Sequence, residues 1–124
     1  MKIAVIGCTH AGTFAIKTIL AEHPDAEVTV YEKNDNISFL SCGIALYLGG
    51  HVKDPKGLFY SSPDEPKKLG ANVKLNHEVT NVDPSAKTIQ VVDLENNNSF
   101  QHTYDKLVVT TGPWPVIPPI KGID

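Results

Sequence analysis

The chain has 124 residues, enough for one domain of ordinary size that buries roughly two thirds of the surface its unfolded form exposes, so no disulfide staple is required. Hydrophobic residues make up 41% and charged residues 20%, and no apolar run approaches the ~20 residues of a membrane-spanning helix, which excludes a disordered chain and an inserted one. Eleven basic side chains against fourteen acidic ones leave a formal charge of -3, with no cationic surplus for nucleic acid or anionic lipid, so a small molecule is the expected partner.

Ile3 to Ile6 is a continuous apolar run stopped by Gly7, the pattern of a strand covered on both faces in a parallel sheet. Four apolar residues fall short of the ~7 to 15 that a secretion signal needs, so Cys8 is not read as a lipoprotein cleavage site. Phe14, Ile16, Ile19 and Leu20 recur at helical spacing and predict a helix from Gly12 to Glu22, ended by His23-Pro24-Asp25. Val28, Val30 and Tyr31 predict a second strand. Residues 2 to 32 then form one strand-helix-strand unit with parallel strands and a right-handed crossover.

Ser41 to Leu48 reads as a helix opened by a serine cap, followed by a Gly49-Gly50 break and a loop dense in Pro, Lys and Asp. Pro63 to Leu69 predicts a short helix. Strand spacing follows in Val73 to Leu75, Glu78 to Val82, Thr88 to Leu94 and Ser99 to Tyr104, and turn chemistry at Asp83-Pro84-Ser85 and Glu95 to Asn98 joins the last three into an antiparallel meander. Lys106 to Thr110 resumes the buried-strand pattern. The proline-rich stretch 113–124, with Trp114 between Pro113 and Pro115, reads as a connector after a domain of residues 1–112. The expected class is α/β, a Rossmann-like parallel sheet with an antiparallel β-meander insertion.

Gly7-Cys8-Thr9-His10-Ala11-Gly12 stands where a phosphate-binding loop belongs, between the first strand and the first helix, although the middle glycine is missing. Gly7 permits the tight turn and Gly12 a close helix-strand approach, while the helix start offers free N–H groups to a pyrophosphate. Thr9, where a glycine is usual, is expected to restrict how closely the backbone approaches the phosphates. Glu32 follows twenty positions after Gly12, at the end of the second strand, where a carboxylate accepts hydrogen bonds from a ribose diol. The competing reading of Glu32 is a solvated charge at a strand end. Lys33 beside it is open to either reading.

Cys8 and Cys42 form at most one bridge, which fits a reducing cytoplasm better than a secreted scaffold. Cys8 reads as a small packing residue within the loop. Cys42 falls in the first turn of the helix expected from Ser41, where the helix N-terminus can draw a thiol from about pKa 8.5 into the range ~3.5 to 7.5. A cysteine in the apolar stretch Phe39-Leu40-Ser41-Cys42 equally fits an inert core residue. With no second cysteine nearby, redox chemistry there uses one sulfur, as thiolate, sulfenic acid or a mixed disulfide. The five histidines lack metal-ligand spacing with either cysteine, so no metal site is expected. His10, at the start of the first helix, is either a proton donor or acceptor toward a bound cofactor or only a loop residue.

Together these stretches resemble the N-terminal FAD-binding segment of the NADH oxidase, NADH peroxidase and coenzyme A-disulfide reductase group of flavoproteins, over essentially the whole chain. The matching residues are Val5 to Thr13, Tyr31-Glu32-Lys33, Ser38 to Gly43, and Tyr104 to Gly112, with Thr110 where many relatives have alanine. The resemblance implies that Gly7, Cys8, Thr9, His10, Ala11 and Gly12 hold the FAD pyrophosphate and that Glu32 holds the adenosine ribose. Val79 would meet the adenine through its backbone, and Thr110, Thr111 and Gly112 would close over the cofactor, with Lys33 and Ser41 as further contacts. Cys42 would be the redox-active thiol, cycling through a sulfenic acid with His10 as its acid-base neighbour. The activity implied is an NADH oxidase reducing oxygen to water, in a full-length homodimer. A peroxidase acting on hydrogen peroxide and a coenzyme A-disulfide reductase are the alternatives within the family. Cys8 to Thr13 and Trp114 to Pro118 look more like oxidase sequences. An inactive FAD-binding module and a plain NAD-binding Rossmann domain are the readings from outside it; the meander before Thr111-Gly112 argues against the second.

Overall fold

The computed structural model describes residues 1–113 and 116–123; the expectations attached to Trp114 and Pro115 lie outside the described residues. Four strands, β1 (Lys2–Ile6), β2 (Glu27–Tyr31), β3 (Asn72–Lys74) and β7 (Lys106–Val109), form a parallel sheet in the order β3-β2-β1-β7. Three more, β4 (His77–Asp83), β5 (Thr88–Asp93) and β6 (Asn98–Thr103), form the expected antiparallel meander. The helices are α1 (His10–Glu22), α2 (Ile44–Leu48) and α3 (Asp64–Lys68).

The apolar run of β1 is explained by what lies on its two sides, since successive side chains of a strand point to opposite faces. Ile3 and Val5 join Ile16 and Leu20 of α1 in one buried cluster, with Val28 and Val30 of β2. Ala4 and Ile6 join Ile89 and Val91 of β5, with Tyr31 and Tyr104, in a second. The second face of the parallel sheet is therefore covered by the meander, giving three layers.

Two expectations about helices change. Helix α1 starts at His10, two residues before Gly12, so the end of the loop forms its first turn. The segment 41–48 is not a single capped helix but a 3-10 turn, Ser41–Gly43, running into the five-residue α2. Leu40 precedes the turn and no side chain caps it; instead Gly43 N–H donates to the Leu40 carbonyl and Leu40 N–H to the Leu58 carbonyl. Ser41 supplies no cap because the following loop, through Leu58, fixes the entry of the segment.

Strand β1 lies between β2 and β7, so the chain leaves it toward one neighbour and returns a hundred residues later on the other side. A reversal of this kind opens a crevice beyond the carboxyl ends of the strands.

Candidate functional site

The loop after β1 is shaped by two missing side chains. Gly7 has φ +89°, and a Cβ there would lie 2.5 Å from the Thr110 carbonyl oxygen. A Cβ on Gly12 would run into the Gly7 carbonyl oxygen and approach Thr110 Oγ1 to 2.9 Å. Thr110 fastens this approach: its N–H donates to the Ile6 carbonyl at 2.8 Å, and its hydroxyl is shared between the Ile6 and Gly7 carbonyls at 2.9 Å each. The Thr110 hydroxyl thus ties the end of β7 to the loop. Thr13 N–H closes the first turn of α1 onto the Thr9 carbonyl, and the N–H groups ahead of it have no intrahelical acceptor.

Glu32 is buried, at 4% exposure, which removes the reading of a solvated strand-end charge. A carboxylate taken out of water needs donors. It has three: Cys8 N–H on Oε2 at 2.8 Å, and the Asn34 backbone N–H and side-chain amide on Oε1 at 2.9 and 2.7 Å. The first of these ties the ribose candidate directly to the phosphate loop.

A cleft of about 360 Å³ opens at the carboxyl ends of β1, β2 and β7. Gly7, Cys8 and Thr9 line it from the loop, Glu32 and Lys33 from the end of β2, Val79 from β4, and Thr110 and Thr111 from the end of β7. Lys33 Nζ pairs with Glu78 Oε1 at 2.7 Å on the exposed rim, an ion pair of a kind worth about 0–1 kcal/mol. Val79 lies beside a bulge in the β4–β5 ladder, on one of the two outer strands of the meander. The lining of this cleft does not include His10, Ala11, Gly12, Ser41, Cys42 or Gly112. Gly12 is buried behind the loop, while Gly112 is exposed with φ +70°.

Cys42 is exposed, so it is not the inert core residue that its neighbours in sequence permit. The segment leading to it is anchored to the phosphate loop by Ser38 and Tyr60. Ser38 is fully buried with φ +59°; its N–H donates to the Cys8 carbonyl at 2.8 Å and its hydroxyl lies 2.8 Å from Thr13 Oγ1. Tyr60 donates its hydroxyl to the Thr9 carbonyl at 3.1 Å and its N–H to the Ser38 carbonyl at 3.3 Å. The His10 ring packs against Tyr60 with centroids 5.4 Å apart, and Phe14 stacks on Tyr60 at 6.4 Å. Cys8, also a free thiol, differs from Cys42 in burial. It is wholly buried, and burial foremost pushes its thiol pKa up, with the nearby Glu32 charge adding and a hydrogen bond from Thr13 opposing. It packs as expected. No local pattern marks the roles of Ser38 and Tyr60, whose partners lie 25 to 51 positions away, and Asn34, only two positions from Glu32, reads as an ordinary polar loop residue.

Parallel strands reversing at β1, a glycine-shaped turn into α1 and a buried carboxylate at the end of β2 define a Rossmann-like nucleotide-fold module with an antiparallel insertion. The sequence model of one family matches residues 1–124. The chain belongs to the pyridine nucleotide-disulphide oxidoreductase family. It is 60% identical over 124 residues to an NADH oxidase of Enterococcus faecalis, covering 100% of this chain and 28% of that protein. It is 33% identical over 112 residues to a coenzyme A disulfide reductase of Staphylococcus haemolyticus, covering 90% of this chain and 26% of that one. Among solved structures, the water-forming NADH oxidase from Lactobacillus brevis bound to NADH superposes with a TM-score of 0.95 at 69% identity, over 100% of this chain and 28% of that one. The chain therefore spans less than a third of the length of these relatives.

Proposed function

We propose that the chain is the FAD-binding part of an NADH oxidase that reduces oxygen to water through Cys42. The observation that carries this reading is the buried Glu32 carboxylate hydrogen-bonded to the N–H of Cys8, which joins a sugar-binding acid to a phosphate-binding loop. The residues fit the cofactor: a Cβ on Gly7 or Gly12 would fill the turn, and the first turn of α1 leaves N–H donors for a diphosphate. Gly7 to Gly12 would hold the pyrophosphate, Glu32 the adenosine ribose, and Val79 the adenine through its backbone, with Lys33, Ser41, Thr110, Thr111 and Gly112 as further residues that would hold the cofactor. When bound, FAD takes hydride from NADH and delivers electrons to oxygen.

The chain's own contribution to the chemistry is one exposed sulfur on a segment pinned to the phosphate loop by Ser38 and Tyr60. As thiolate, Cys42 attacks a peroxidic oxygen: an S–O bond forms, the O–O bond breaks, and one oxygen leaves as water once protonated. Hydride from a second NADH, with a proton, reduces the resulting sulfenic acid to the thiol and releases the other oxygen as water. His10, exposed at the start of α1, supplies or accepts the proton. The coenzyme A disulfide reductase relative supports a second reading, in which the same sulfur holds a mixed disulfide with a small thiol.

Residues 1–112 form the first FAD segment, 113–124 lead toward an NADH-binding domain, and the longer protein acts as a homodimer. Among the described residues no helix is long and apolar enough to cross a membrane, and two unbridged cysteines fit a cytoplasmic setting. NADH, and oxygen or peroxide, are the small-molecule substrates. In the full-length protein, Cys42→Ser is expected to keep its flavin spectrum and to yield close to one peroxide per NADH consumed. Unchanged water formation would refute the role of the thiol. Reduction of coenzyme A disulfide without oxygen consumption by the unsubstituted protein would favour the second reading.

A further inference from the structure

We infer that Asn34 is a positioning residue that selects which oxygen of Glu32 reads the adenosine ribose; this rests on the flavin reading above. An ionised carboxylate offers about four lone-pair sites, two on each oxygen. Asn34 fills both sites of Oε1, one with its backbone N–H at 2.9 Å and one with its side-chain amide at 2.7 Å. Cys8 N–H fills one site of Oε2 at 2.8 Å. The remaining acceptor site is on Oε2, the oxygen already joined to the phosphate loop. Because Glu32 can only accept, the Asn34 amide nitrogen must be the atom that faces it, which fixes the amide's orientation.

The terminal torsion of a glutamate is broad and defines no orientation by itself. Asn34 supplies two of the three hydrogen bonds that fix it, and Cys8 N–H the third. Its backbone is held independently, because its carbonyl accepts Asn76 N–H at 3.1 Å, and Asn76 immediately precedes β4. Asn34 is itself solvent-exposed and lines the cleft beside Glu32. Removing its side chain therefore takes one donor from Oε1 and leaves the loop and the core in place. Oε1 then keeps only the Asn34 backbone N–H and Oε2 only the Cys8 N–H, so each oxygen has an open acceptor site and Oε2 is no longer singled out for the sugar hydroxyl.

The test is a fluorescence titration of the full-length apoprotein with FAD and with an FAD analogue lacking the adenosine 2′-hydroxyl. The unsubstituted protein is expected to prefer FAD by about tenfold or more, the size of a hydrogen bond to a charged group. Asn34→Ala is expected to lose most of that preference, weakening FAD about tenfold while the analogue changes little. Asn34→Asp keeps the shape but puts an acceptor against Oε1, and it is expected to lose at least as much. Equal weakening of both ligands in Asn34→Ala, or an unchanged preference in Asn34→Asp, overturns the positioning role. No FAD binding by the unsubstituted protein overturns the flavin reading instead.

Discussion

Around Gly12, a single hydrogen in place of a methyl group decides whether loop, helix and strand meet. The oxygen and carbon of the Gly7 carbonyl and the Thr110 hydroxyl converge there, and the carbonyl is backbone, which has no rotamer to escape into. Gly12→Ala is therefore expected to destabilise the fold by about 1–3 kcal/mol, the usual cost of forcing extra volume into a packed site. Urea unfolding of the chain measures this, and a loss below the error of the method would show that the loop shifts freely. The same variant is expected to weaken FAD binding, because relief of the clash moves the Gly7 turn. Gly7 and Gly12 are legible in the sequence, since no other residue type permits the turn and the approach. The carboxylate at 32 is legible by its distance from them. What the sequence does not carry is how Glu32 is satisfied: Asn34 looks like any polar loop residue until it is seen to give a backbone and a side-chain donor to one oxygen.

At the scale of elements, the meander docks on the parallel sheet through rings as well as aliphatic side chains. The Tyr31 ring, on β2, meets the His102 ring of β6 edge-on at 5.6 Å, with Phe100 and His77 both at 6.3 Å. Burial pushes the Tyr31 hydroxyl from 10.0 up to about 12. Burial foremost holds His102 below its ordinary value, with Lys2 adding and Glu27 opposing. Tyr31 is raised, so its contribution is complete below about pH 10 and is lost as pH rises through about 12. His102 is lowered, so its contribution is present above about pH 6.5 and is lost as pH falls below that. Stability is expected to fall on both sides of this interval. Tyr31→Phe should flatten the alkaline limb and His102→Phe the acid limb, as read from urea midpoints across pH. Limbs unchanged by either substitution would place the titrating groups elsewhere.

The elements differ in how well their sequences announce them. Alternation in Thr88 to Asp93 and the turn residues on either side mark β5 and the meander clearly, and Ile3 to Ile6 marks a doubly covered strand. Ser41 to Leu48 misleads, because a serine before an apolar run is also how a 3-10 turn begins when a distant loop sets the backbone. That loop closes through Leu58 and Tyr60, contacts no local pattern encodes. Ser38 adopts a left-handed backbone without being glycine, held by hydrogen bonds to Cys8 and Thr13 some 25 to 30 positions away.

Across the whole molecule, apolar exposure is uneven. Helix α2 buries no residue, and Ile44, Leu46, Tyr47 and Leu48 are exposed at 41%, 52%, 38% and 79% beside the exposed Cys42. Contiguous apolar surface of this kind favours association in a chain that carries nothing over it. Residues 1–124 expressed alone are expected to self-associate as concentration rises, and a Leu46→Lys, Leu48→Lys variant to remain monodisperse by light scattering. Equal behaviour of the two chains would show that α2 is not the adhesive surface.

The tie between Gly7 and Thr110 also dictates when the molecule becomes competent. The two residues sit about a hundred positions apart, and β7 follows β1, β2 and β3 in the chain. On the ribosome, a nascent chain that has already made β1, α1 and β2 still lacks one wall of its crevice and the clasp on its turn. Long-range closure of this sort is slow compared with local helix formation. Nucleotide capture must therefore wait until the Thr110 segment has emerged, so loading follows the synthesis of β1, α1 and β2 and cannot template their folding.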